Sequence, residues 1–89
     1  MFDEETPVAW NAVPRHAVVV AGDGTELGAV EEILGDEEED IFHGVALKRA
    51  DDGEVVEVPA GRITRMTMEH LVTDLTQDEA KALPAFRKR

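Results

Sequence analysis

Cysteine, serine and tyrosine are absent from this 89-residue chain, and lysine occurs only three times. Without cysteine there are no disulfides, no thiolate nucleophile and no cysteine-based zinc or iron–sulfur centre, a composition that a reducing cytosol permits. The hydroxyl nucleophiles that remain are six threonines, and an internal threonine is rarely recruited without an N-terminal amine beside it. Acyl-transfer chemistry is thereby disfavoured. A phosphate-cradling G-x-G-x-x-G is missing too; Gly22, Gly24 and Gly28 serve turn and strand geometry instead. No window approaches the roughly 18–20 apolar residues that span a bilayer. The N-terminal MFDEETPVAW has neither a basic region nor an apolar core of a signal peptide. The expected location is the cytoplasm, with no membrane span.

Bases are scarce as well. Twenty acids against nine bases give a net charge of −11. Three of those bases are Arg87, Lys88 and Arg89, so residues 1–86 carry 20 acids and 6 bases, a net of −14. Such a body repels phosphate backbones, which argues against direct nucleic-acid binding by the folded part. The length makes one domain with one small core, folding hiding only about 60–65% of the unfolded chain's surface.

What is present is a pattern of short strands. Val18–Gly35, VVVAGDGTELGAVEEILG, reads as a β-hairpin turning at Gly22-Asp23-Gly24, because Asp-Gly tolerates the positive φ that a tight hairpin turn requires. Its first strand, Ala17–Ala21, is apolar on both faces, as in an enclosed sheet. In the second, Leu27, Val30 and Leu34 also fit helical spacing. Gly28 argues against a helix, costing about 1 kcal/mol relative to Ala. A β-bulge between Val30 and Ile33 would turn both inward and send Glu31 and Glu32 outward. Gly35 ends this strand, and Asp36–Asp40, DEEED, is a solvated acidic loop.

Ile41–Lys48 is a third strand, stopped by Asp51-Asp52-Gly53, and Val55–Val58 a fourth, ended by Pro59. Ile63–Met68 and Leu71–Leu75 follow, joined near Glu69-His70. Thr76-Gln77-Asp78-Glu79 is a capping box that opens a helix over 76–83, terminated by Pro84, with Ala80 and Leu83 against the sheet. The expected fold is all-β: six short antiparallel strands closed into a small β-barrel, which removes exposed edges, plus a short C-terminal helix. The expected organisation is a flexible acidic arm at 1–9, the barrel domain at 10–84 and a basic tail at 85–89.

With these residues placed, the chain resembles the PRC-barrel family, named for the cytoplasmic domain of the photosynthetic reaction-centre H subunit and found also at the C-terminus of a ribosome-maturation factor. The likeness rests on DGTELGAVEEIL, on DIFHGVAL after an acidic loop, on VVEVPAGRI and on the closing pair of strands, roughly Trp10 to Leu75. The tail LTQDEAKALP looks like the helical end of small stand-alone bacterial members. The resemblance implies a non-enzymatic adaptor or assembly domain, with no catalytic motif to carry over and no cofactor. A second expectation is a ribosome- or RNA-metabolism-associated role through basic protein partners, since opposite fields speed encounter. The protein partner is not named by the sequence, and self-association is an open alternative.

Candidate contact residues are Trp10, His43, Met66, Met68 and Phe86. Trp10, the only tryptophan, suits either a plug at one end of the core or an exposed binding anchor. His43, inside an apolar strand, suits a partly buried histidine with a local hydrogen bond rather than a ligand or base. Met66 and Met68, with Leu71, suit core filling or an adaptable apolar surface. Phe86-Arg87-Lys88-Arg89 is a loose end, a strap folding back on the acidic body, or a contact to RNA or an acidic partner. No two of His16, His43 and His70 are spaced as ligands on one helical face, and the Asp36–Asp40 run lacks the alternating acids that aim oxygens at calcium. The carboxylates of Glu31, Glu32, Glu54 and Glu57 come without a pocket-forming signal. Neither catalytic nor metal-ligating residues are expected.

Overall fold

The structure is a computed structural model that describes residues 4–87. A 3-10 turn at Trp10–Ala12 precedes β1 (Val18–Val20), β2 (Glu26–Asp36), β3 (Ile41–Arg49) and β4 (Val55–Pro59). A second 3-10 turn at Ala60–Arg62 leads to β5 (Ile63–Met66), β6 (His70–Thr73) and the helix α1 (Gln77–Lys81). Local chemistry explains the best-defined junctions. In the β1–β2 turn Gly24 has φ 90°, its amide donates to the Ala21 carbonyl at 2.9 Å, and the Thr25 amide donates to Asp23 Oδ1 at 2.9 Å. At α1, Thr76 Oγ1 accepts from the Glu79 amide at 3.0 Å and Glu79 Oε1 accepts from the Thr76 amide at 3.0 Å, the reciprocal capping box. Ala80 is buried beneath it, and Leu83 packs against the core. The helix stops at Lys81, three residues before Pro84, and β6 starts at His70, so the turn into it runs over Met68 and Glu69.

The strands form one six-stranded mixed sheet in the order β4-β3-β2-β1-β6-β5. This corrects the expected closed antiparallel barrel: β4 and β5 are the two outer strands, and β1 pairs with β6 in parallel, Val18 opposite His70 and Val20 opposite Val72. The cause is the long connection. Parallel neighbours need a crossover of a dozen or more residues, and everything from β2 to β5 supplies it. Short turns dictate β1 to β4 as one antiparallel run and β5–β6 as another, but the docking of one run on the other is a tertiary choice.

The open sheet is nevertheless rolled. Four strand spacings separate β4 from β6, about 19 Å if flat, yet Val56 and Val58 of β4 share one buried cluster with Leu71 of β6, Val19 of β1, Val30 of β2, and Val45 and Leu47 of β3. Val13, Ala17 and Leu75 from the flanking segments complete this core. Rolling is helped by a bulge in β2, where the register slips between Val30 and Glu32 opposite Leu47 and Ala46. The extra residue lets Val30 pair with Leu47 and Ile33 with Val45 on the same inward face, as the residue pattern predicts. A second slip follows between Leu34 and Gly35, and the strand runs on through Gly35 to Asp36. Gly44 on β3 has φ 141°, and a Cβ there would stand 2.0 Å from the Val58 carbonyl oxygen. Only glycine allows β3 and β4 to approach so closely.

Both outer strands are covered by the ends of the chain. Pro7 bridges to Thr67 beyond β5, and the Val8 amide donates to the Met66 carbonyl at 2.9 Å. On the other side Ala85 bridges to Val56, the Glu57 amide donates to the Pro84 carbonyl and the Phe86 amide to the Val55 carbonyl, each at 2.9 Å. Of the expected arm, residues 5–8 thus lie along β5, and of the basic tail, Ala85 and Phe86 lie along β4; residues 1–3, Lys88 and Arg89 fall outside the described residues. No helix among the described residues is long and apolar enough to cross a membrane.

Candidate functional site

The five residues singled out from the sequence fall at separate places. Met66 is half-buried against the core. Met68 is 56% exposed on the β5–β6 turn, beside an open depression of about 370 Å³ lined by Glu5, Thr6, Val8, Thr67, Met68 and Glu69. Phe86 lines a depression of about 560 Å³ with Arg15, Glu31, Glu32, Ile33 and Val55. His43 is a correction: it is exposed. It falls on the outward phase of β3, between inward-packing Phe42 and buried Gly44, because the strand's buried run begins only at Gly44.

Trp10 belongs to an apolar patch at the far end of the β2–β3 hairpin. Its ring stacks on Phe42 at 5.6 Å between centroids and 17° between planes. It lies over Gly35, where a Cβ would meet the indole at 2.7 Å. The indole Nε1–H donates to Asp40 Oδ1 at 3.1 Å, so Trp10 is half-buried on the flank of the sheet rather than inside the core cluster. On the opposite, outward face of β3, shared with His43, Ile41 is 41% exposed. The acidic run Asp36–Asp40 joins β2 to β3 beside this stack, and the Asp36 side chain is turned back to accept from the Glu38 amide at 3.0 Å.

A polar cluster that sequence spacing does not reveal lies at the opposite outer strand. His70 Nδ1 stands 2.8 Å from Glu5 Oε2 and 2.9 Å from Glu5 Oε1, across 65 positions of sequence. Thr67, 1% exposed, donates its hydroxyl to Glu5 Oε1 at 2.7 Å, and its Oγ1 accepts from the His70 amide at 2.9 Å. Arg65 donates to the Glu5 carbonyl at 2.8 Å. The Thr67 hydroxyl first, and then the His70 ring, hold the Glu5 carboxyl below its ordinary range against the partial burial that pushes it up. Glu69 adds a second carboxylate, and one donor atom from each of Glu5, Glu69 and His70 lies within 4.8 Å of the others. The only forewarning in the sequence is Thr67 at the head of a turn; nothing local links it to residue 5.

Compared with models of known protein families and with curated proteins, the chain matches none.

Proposed function

We propose that this chain is a non-enzymatic protein-interaction domain of the PRC-barrel type, working through the end of its β2–β3 hairpin on a basic protein segment that carries an apolar side chain. The carrying observation is the Trp10–Phe42 stack at the end of the hairpin, tied to Asp40 of the acidic run Asp36–Asp40, with Ile41 exposed on the outward face of the same strand end. Interfaces draw most of their affinity from a few aromatic or aliphatic anchors, while a charged rim sets encounter rate and partner choice. The family reading rests on the resemblance carried by roughly Trp10 to Leu75. The same surface disfavours two copies meeting through this end, since two five-carboxylate loops repel. The net charge of −11 favours a second reading, a ribosome-associated role through a basic ribosomal protein.

The test is capture from host lysate by the protein and by Ile41→Glu, with and without nuclease and at two salt concentrations. The exposed position leaves the fold intact in the variant. Basic proteins retained by the original and lost by Ile41→Glu are the expected result. Identical recovery by both, or binding that nuclease abolishes, refutes the proposal.

A further inference from the structure

Glu5, Glu69 and His70 come from two separate stretches of chain, the strap along β5 and the turn into β6, and converge outside the hairpin surface described above. We propose that they bind one divalent transition-metal ion of the zinc class, between His70 Nδ1 and the carboxylates of Glu5 and Glu69. Imidazole nitrogen with carboxylate oxygen is a donor set that suits zinc and its neighbours. Two donors on a tetrahedral zinc, with bonds of about 2.0–2.1 Å, stand about 3.3 Å apart. His70 Nδ1 and Glu5 Oε2 stand 2.8 Å apart, so the ion enters after a separation of roughly half an ångström, within the reach of side-chain torsions.

The surroundings complete the arrangement. Thr67, itself buried, fixes one Glu5 oxygen from behind, as partners of ligating carboxylates do. Glu69, exposed on the turn, closes from the side, and the depression lined by Thr6, Val8 and Met68 leaves the fourth position to water. Because Glu5 sits on the strap, the ion also ties residues 5–8 to the outer strand, so the Val8 amide, bonded to the Met66 carbonyl, exchanges more slowly when metal is present.

The experiment is titration of the full chain with Co²⁺, followed by visible absorption and by displacement with Zn²⁺. The expected result is one ion per chain with a tetrahedral cobalt spectrum, loss of that spectrum in His70→Ala, and affinity lower by about tenfold or more in Glu69→Gln. Binding by His43→Ala is unchanged. Glu69→Gln changes an exposed turn residue and keeps the fold, so it remains informative if His70→Ala loosens the strap. Equal binding by Glu69→Gln, metal-induced NMR shifts confined to Asp36–Asp40, or no binding at millimolar Co²⁺ overturns the proposal.

Discussion

Replacing Gly44 by alanine tests the rolled sheet at its tightest point. The added Cβ stands 2.0 Å from the Val58 carbonyl oxygen, and ordinary contact begins near 3.4 Å, so β3 and β4 must separate locally by about 1.4 Å. Gly44 pairs with Pro59 on one side and Leu34 on the other, and the movement strains two or three ladder hydrogen bonds at about 0.5–1.5 kcal/mol each. The φ of 141° adds about 1–2 kcal/mol for a residue with a Cβ. The expected loss is about 3–5 kcal/mol, a large part of the roughly 5–13 kcal/mol that a chain of this length holds. Urea unfolding followed by far-ultraviolet circular dichroism measures it. Two internal controls share the chemistry without the clash. Nothing lies within 4 Å of a Cβ at Gly53, whose φ is 73°, or at Gly61, so Gly53→Ala costs about 1 kcal/mol and Gly61→Ala is neutral or slightly stabilising. A Gly44→Ala protein that loses less than about 1 kcal/mol, or no more than Gly53→Ala, refutes the packing described for β3 and β4.

Thr73→Val removes a buried hydroxyl that donates to the Val20 carbonyl at 2.9 Å and accepts from the Leu75 amide at 3.2 Å; leaving both partners unsatisfied costs about 1–3 kcal/mol in the same urea assay. Thr76→Ala deletes half of the capping box and lowers stability by about 1 kcal/mol. The Glu79 carboxyl is held below the ordinary carboxylate range by the Thr76 amide and then by Arg62. Its contribution is complete above that range and is lost as pH falls through the depressed value, so amide-exchange protection of α1 declines in acid in the native protein and less so in Glu79→Gln. Ending the chain at Leu83 removes the Pro84 and Phe86 bonds to β4, and sedimentation should then show concentration-dependent self-association of the bared edge.

Features governed by neighbours in sequence were legible before the structure. The Asp-Gly turn, the bulge after Val30 and the capping box at Thr76 all follow from steric and hydrogen-bonding preferences of four or five consecutive residues. Partnerships across the chain were not. Nothing in Val18–Val20 specifies β6 as a parallel neighbour, and a closed barrel satisfies the same alternation of residues. His43 looked half-buried because its strand is apolar, but the strand changes character at Gly44, where close contact with β4 begins. Glu5 and His70 meet only because the first residues lie back along β5, a path set by two backbone contacts at Pro7 and Val8. Trp10 found its place beside Phe42 through an absence of side chain at Gly35.

That placement gives the protein a built-in optical probe. With one tryptophan and no tyrosine, intrinsic emission comes from the hairpin end alone, from an indole held by an aromatic neighbour and by the Asp40 carboxylate. A change in its colour or lifetime that leaves circular dichroism untouched would therefore report events at Trp10, Phe42 and the acidic loop, and not unfolding. The proposed partner binding at that end can be tested in this way on the unlabelled protein.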